Sequence, residues 1–337
     1  MTIIFTLIFI ILIYPINLFI QKLNLLPNTT GEVHQIYVNK AVVPLSGGLF
    51  ILISIFFTFE TDLILYSFLF SFFLIGIASD KKIISSPKIK FLLQLTLVIS
   101  FVLIFDLRIE DVRNNYFSTL LENQYISYFF IILCLLVLIN GSNFIDGLNG
   151  LKLGYYLIII LILFKNNFLD LFNFSFINQI LFITILIYLI FLNFINKLFS
   201  GDSGSYVMSV FIGYLLINIY SNNQNISPFF IALLLWYPCF ENLFSILRKF
   251  NFKLSPLKPD SSHLHQLVFL FIKNKYKLKS LSANNLSSIL INLFNLIIIY
   301  CGSLKYNHTI TQIILIGIMS VIYIKVYLIM YNKAVKY

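Results

Sequence analysis

The sequence predicts an all-α integral membrane protein of about eleven transmembrane helices, with the N-terminus outside and the C-terminus in the cytosol. Three observations carry that prediction. Hydrophobic residues make up 59% of the 337 and charged residues 11%, where a soluble domain carries about 25% charged; mean hydropathy is +0.93. Apolar runs near the roughly twenty residues that an α-helix needs to cross a bilayer recur along the whole chain. Lysine and arginine are shared unequally between the two sets of connections.

The runs cover residues 2–20, 44–60, 63–79, 89–107, 125–141, 151–165, 176–195, 204–221, 226–247, 285–302 and 309–331. The first has no basic n-region and no Ala-x-Ala-like cleavage site, so it is expected to stay as a span. The second opens with Pro44-Leu-Ser-Gly-Gly48, and the third leaves the membrane at Asp80. The fourth follows Pro87, a residue suited to the first position of a helix. The fifth runs without a break into Asn140–Gly150, and the sixth begins straight after it. The seventh ends before Leu198-Phe-Ser-Gly-Asp-Ser-Gly204, which opens the eighth; the ninth carries Glu241. The tenth and eleventh close the chain, with Lys325 inside the last. The second, sixth and eighth meet the length and polarity criteria least well. A β-barrel would show runs of about ten residues with alternating polarity, and these are longer and continuous.

With the N-terminus outside, 18 of the 23 Lys and Arg residues fall on the cytosolic side and 4 on the other. The net charge of +10 is therefore mainly a topology signal, and a basic cytosolic face also suits anionic lipids and phosphate substrates. The whole chain, 1–337, reads as one polytopic domain, with 248–284 as a cytosolic loop able to form one or two short surface helices. Cys134, Cys239 and Cys301 lie in apolar runs and read as small core hydrophobes, with no metal spacing and no disulfide framework. No nucleic-acid module, soluble domain or internal repeat is visible.

The acids are few, and four of them stand at or near cytosolic ends of spans: Asp80, Asp146, Asp202 and Glu241. A charge at the centre of a span costs about 2.5–3.5 kcal/mol on insertion scales, so acids near membrane depth default to functional roles. Asp80 is surrounded by Lys81, Lys82, Lys88 and Lys90. The group reads as a carboxylate for Mg²⁺ beside phosphate-attracting lysines, Lys88 among them, or as a plain positive-inside turn. Asn140, Asn143 and Asp146 follow i, i+3, i+6 spacing and on a helix share roughly one face. They can grip a nucleotide or sugar, with Asp146 on a metal, or Asp146 can be a helix cap. In the 198–207 stretch Asp202 opens a helix whose positive dipole end suits phosphate. A carboxylate there suits Mg²⁺, which prefers oxygen ligands and substrate phosphates, or it can be a cap. His263 and His265 stand in a basic loop with no third or fourth zinc ligand nearby, so they read as phosphate contacts or as surface histidines.

Taken in order, Pro44–Gly48, Gly76–Lys90, Asn140–Leu151, Phe199–Ser205 and Lys258–Gln266 resemble the motifs of the polyprenyl-phosphate N-acetylhexosamine-1-phosphate transferases, from about residue 44 to 266. That bacterial family moves a sugar-1-phosphate from a UDP-sugar to a polyprenyl phosphate, releasing UMP. The resemblance implies Mg²⁺ (Mn²⁺ as a substitute), with Asp202 as leading metal ligand, Asp146 as second ligand or nucleotide-site acid, and Asp80 as a further catalytic acid. It places Phe199 where an aromatic stacks on uracil and Asn149 where an acid contacts the base. It also sets Asn140, Asn143, Lys88, His263 and His265 around the substrates. The implied partners are a UDP-N-acetylhexosamine, undecaprenyl phosphate and the bacterial inner membrane, with a homodimer compatible and the active site on the cytosolic face.

The chain departs from the family pattern at Ser79, where the first of two paired aspartates is usual, at Ser261 and Gln266, where arginine and a third histidine are common, and at Glu241, where aspartate is frequent. Glu241 and Arg248 are seven residues apart, close to two helical turns, and share a face, expected either to border the active-site cavity or to make a buried structural hydrogen bond. Two other readings are open: a homologue impaired in catalysis, given Ser79, and a secondary transporter. Transporter sites lie near the midplane and come with repeats, whereas these motifs gather at one membrane face.

Overall fold

The computed structural model describes residues 2–26, 43–59, 62–172, 174–251, 253 and 262–334, and every regular element among them is helical. In order these are α1 (Thr2–Lys22), α2 (Gly47–Thr58), α3 (Leu63–Asp80), α4 (Pro87–Ile104), α5 (Asn115–Leu121), α6 (Gln124–Phe144) and α7 (Leu151–Lys165). They continue with α8 (Phe176–Phe194), α9 (Gly201–Asn222), α10 (Pro228–Leu234), α11 (Trp236–Asn251), α12 (Leu264–Tyr276), α13 (Ser280–Ser303) and α14 (Thr309–Ala334). Glu32, Lys40, Glu60, Lys258, Asp260 and Ser261 lie outside the described residues.

All eleven apolar runs become helical, but they are not eleven equal spans. Among the described residues eight helices are long and apolar enough to cross a membrane: α1, α3, α4, α6, α8, α9, α13 and α14. The second and sixth runs fall short, as α2 has 12 residues and α7 has 15. The eighth, marginal by polarity, is a full helix of 22 residues. The ninth run is broken: α10 and α11 meet at Leu235 with a bend of 76° and make a ninth span only if taken together.

The break has a local cause. Pro238 lacks an N–H, and its ring clashes with the carbonyl four residues back, which is that of Leu234. That carbonyl is taken instead by the Tyr155 hydroxyl of α7 at 2.9 Å. The Tyr237 N–H donates to the same hydroxyl at 3.2 Å. A single buried side chain thus satisfies both backbone groups freed at the bend.

The centre of the bundle is α9, buried over nearly its whole length, while α14 is mostly exposed and peripheral. Two close approaches fix α9. A Cβ at Gly76 of α3 would stand 2.5 Å from the Ser203 backbone nitrogen, and one at Gly48 of α2 2.6 Å from that of Gly204. Small residues that let backbones meet are the usual device for membrane helices, where lipid offers no hydrophobic drive between them. Of the cysteines, Cys134 and Cys301 are exposed on the outside of the bundle and Cys239 is half-buried. They are not core residues, because an apolar membrane-facing surface accepts a thiol as readily as the interior does.

The described residues of 248–284 include the end of α11, the whole of α12 and the start of α13. Two polar ends result. One gathers Asp80, Asp146, Asp202, Glu241 and the histidines. At the other, Arg113 donates to the carbonyls of Gln224 (2.9 Å), Asn225 (3.0 Å), Ile226 (3.1 Å) and Asn307 (2.6 Å) and to the Thr309 hydroxyl (3.1 Å).

Candidate active site at the polar end of the bundle

The first turn of α9 is the floor of the site. Asp80, at the last position of α3, accepts from the Asp202 N–H at 2.8 Å through Oδ1 and from the Ser203 N–H at 3.2 Å through Oδ2. It is 5% exposed. The orphan amides of a helix start need such acceptors, so Asp80 acts as a cap donated by another helix. Both Asp80 oxygens are thus engaged by backbone, and the first amides of α9 face that carboxylate. Gly201 has a φ of +63°, and a Cβ there would meet Asp80 Oδ2 at 2.6 Å, so glycine is required on both counts.

Asp202 points the other way. Its Oδ2 accepts from the Ser79 hydroxyl and from Lys90 Nζ, each at 2.6 Å, with the Tyr206 hydroxyl at 3.4 Å. Among the described residues no hydrogen bond reaches its Oδ1. Lys90, not Lys88, is the lysine of this loop that enters the site; Lys88 is exposed. The two point to opposite sides of α4, since residues two apart on a helix do not share a face.

Asp146 sits in a short 3-10 turn, Ile145–Gly147, that follows α6. The expected helical face therefore covers Asn140 and Asn143 only. Asn140 donates back to the Leu136 carbonyl at 2.8 Å within α6, and Asn143 is half-buried. The Asp146 carboxylate accepts from the Ser200 hydroxyl at 3.1 and 3.2 Å and from Lys152 Nζ at 2.9 Å. Lys152, at the second position of α7, has a fully buried side chain. A lysine one residue into an apolar run is the sequence signal for such a buried charge.

The turn after Asp146 is held by amides. Gly150, with φ +71°, donates to Asn193 Oδ1, and Asn292 donates to the carbonyls of Gly150 and Leu151 at 3.1 and 3.2 Å. Asn149 is buried, donates its backbone N–H to Asn284 Oδ1 (2.7 Å), and donates its side-chain amide to Asn196 Oδ1 at 2.7 Å. Its expected place beside a base is thus taken, for the N–H₂ side, by Asn196. Phe199 is half-buried and its backbone is clasped by the Pro44–Gly48 stretch: its N–H donates to the Pro44 carbonyl at 3.0 Å, and its carbonyl accepts from the Gly47 N–H at 2.9 Å.

The histidines are buried rather than superficial. His263 Nδ1 is 2.9 Å from Glu241 Oε1, which also accepts from the Leu264 N–H at 3.3 Å, while Oε2 accepts from Tyr323 at 2.8 Å. Gln266 accepts from the His263 N–H at 3.2 Å, so the residue in the place of a third histidine closes the start of α12 as in a capping box. His265 is fully buried and stacks on His263 at 5.7 Å; a Cβ on Gly147 would lie 3.0 Å from its Cδ2. That contact docks the histidine helix onto the Asp146 turn. Arg248, one face with Glu241, bonds the Ser262 carbonyl and, at 2.9 Å, the Tyr327 hydroxyl.

The arrangement therefore brings together Asp80, Asp146, Asp202, Lys90, Lys152 and Ser200 around one helix start, with His263 and His265 joined through Gly147. Among the described residues no three His, Cys, Asp or Glu side chains group as a metal site. A hard cation that keeps waters and takes one or two carboxylates plus substrate phosphates needs no such group, and the uncommitted Oδ1 of Asp202 fits that use.

Comparison with known proteins agrees with this geometry. Residues 63–220, which carry the three aspartates and both lysines, match the family model described as glycosyl transferase family 4. A Bacillus subtilis (strain 168) protein described as a probable undecaprenyl-phosphate N-acetylglucosaminyl 1-phosphate transferase is 28% identical over 208 residues, covering 60% of this chain and 56% of that protein. The match thus spans little more than half the relative's length. Through the segment that builds the floor of the site, the chain is similar to glycosyl transferase family 4.

Proposed function

We propose that the protein transfers an N-acetylhexosamine-1-phosphate from a UDP-sugar to a polyprenyl phosphate, releasing UMP, as a first step in building a bacterial surface glycan. The convergence of Asp146, Asp202 and Lys90 on the buried start of α9 carries this reading. It gives anionic phosphates a cation-bearing pocket at one end of an apolar bundle, where a nucleotide from water and a lipid headgroup can meet.

Mg²⁺ held by Asp202 would supply charge neutralisation for the diphosphate and for the departing UMP. Lys90, partly exposed and held by one carboxylate, has N–H donors left for a phosphate oxygen. The attacking oxygen belongs to the lipid phosphate; it bonds to the phosphorus carrying the sugar as the bond from that phosphorus to the UMP oxygen breaks. Ser79 serves by holding Asp202 in place. It need not be a base, because a phosphate monoester with a second pKa near 6 is mostly dianionic at neutral pH and phosphoryl transfer depends on positioning and electrostatics. An apolar cavity of about 630 Å³, lined by Trp236, Leu264, Phe294, Tyr323 and Val326 among others, shares Tyr323 with Glu241 and Leu264 with the histidine turn. It suits an isoprenoid chain.

The test is UMP release by the purified protein in detergent, with undecaprenyl phosphate, Mg²⁺ and a panel of UDP-sugars. Asp202→Ala and Asp146→Ala are each expected to lose about a hundredfold or more in turnover, and EDTA to abolish it. Near-normal turnover in both variants overturns the proposal.

A further inference from the structure

Two lysines serve the two front carboxylates, and they are not alike. Lys90 meets Asp202 Oδ2 at 2.6 Å with its side chain 21% exposed. Lys152 is 0% exposed along its side chain. Its ammonium has three acceptors: Asp146 Oδ2 at 2.9 Å, Ser205 Oγ at 2.6 Å and the Gly201 carbonyl at 3.3 Å. Ser205 spends its own proton on that carbonyl at 2.9 Å, so its oxygen is free to accept. An ammonium has three donors, and here each has a partner inside the protein. A buried charge is tolerated when paired and hydrogen-bonded in this way. Saturated and shielded, Lys152 has nothing to offer a substrate phosphate. What it does is compensate Asp146.

We propose that Lys152 is the built-in cation of this site: it occupies Asp146 electrostatically, so that a divalent ion is carried by Asp202 without help from Asp146. The inference rests on the metal-dependent reading above and narrows it from two carboxylate ligands to one. Lys152 is thereby a positioning residue. It acts through Asp146 and the first turn of α9, and it replaces a second metal contact by a covalently tethered charge. A divalent ion brought onto Asp146 would face this ammonium at close range, and like charges at a few ångströms in a partly buried site repel strongly.

Mn²⁺ binding to the substrate-free protein in detergent, read by electron paramagnetic resonance, decides the matter. Asp202→Asn is expected to weaken binding at least about tenfold, and Asp146→Asn, which leaves the Lys152 ammonium without its carboxylate, to weaken it by no more than about threefold. Lys152→Met exposes an uncompensated carboxylate and is expected to tighten binding at least about tenfold. The double variant Lys152→Met/Asp146→Asn returns to the wild-type value. A merely structural lysine would give no gain, and none that Asp146→Asn cancels. If Lys152→Met does not fold, Asp146→Asn in the wild-type background still decides. Weakening there that matches Asp202→Asn, or a Lys152→Met protein that binds no tighter, overturns the inference while leaving the metal-dependent reading intact. Absence of Mn²⁺ binding in the wild type, or binding indifferent to Asp202→Asn, overturns that reading and the inference with it.

Discussion

Asp80 ends α3 and finishes the start of α9, and its two backbone bonds are the tightest test of how this site is held. Removing the carboxylate strands two buried N–H groups, each costing about 1–3 kcal/mol when left without a partner. Asp80→Ala is therefore expected to lower the thermal midpoint of the detergent-solubilised protein, with turnover falling alongside. Asp80→Asn keeps one acceptor and is expected to lose less of both. An Asp80→Ala protein with unchanged melting but lost turnover would instead make Asp80 a direct participant in the reaction. At this scale the sequence was readable for residue type and less so for direction. Asp146 and Asp202 were marked by their glycine-rich surroundings, and each meets a lysine at the start of α9. Asp80 was marked as strongly, yet its partners are amides that only the meeting of α3 and α9 at Gly76 supplies. Lys152 was passed over because charge counting treats every lysine near a span end alike. Asn193, Asn196, Asn284 and Asn292 hold the turn after Asp146. Nothing local distinguishes them from the many that do not.

Among the elements, the bent pair α10 and α11 is the clearest case of a sequence feature present but not used. Pro238 stands in the apolar run 226–247, and proline inside a helix removes one bond and displaces one carbonyl. The run was long enough to read as one span all the same. The partner that makes the bend stable, Tyr155, is 79 residues from the Leu234 carbonyl it serves, and no local pattern announces that. Tyr155→Phe keeps the ring and deletes the hydroxyl. It is expected to cost about 1–3 kcal/mol through the stranded Leu234 carbonyl and Tyr237 N–H, measured as a lowered unfolding temperature. Retained stability would show that the bend is held by Pro238 and packing alone. For α2 and α7 the hydropathy signal was right and the length was not: each is an apolar helix, but 12 and 15 residues rise only about 18 and 22 Å, short of a ~30 Å hydrocarbon core.

For the whole molecule, the separation of two polar ends was legible, because the acid- and glycine-rich motifs and the lysine bias fall on the same set of connections. That end is expected in the cytosol. A single cysteine placed at Lys82, beside Asp80, should resist a membrane-impermeant maleimide in intact cells and react after lysis. One placed at Glu122, near the opposite end, should react in intact cells. The reverse pattern would invert the orientation and place the pocket where no UDP-sugar is available. The helix α7 gives the molecule a mechanical property as well. Lys152 at its start grips Asp146 and the head of α9, and Tyr155, three residues on, pins the elbow from which Glu241 and the histidine helix hang. One short strut is thus the common axle of both walls of the cleft. A displacement of that strut reaches the acid wall and the histidine wall together, so the two are geared to move in step rather than to open one at a time.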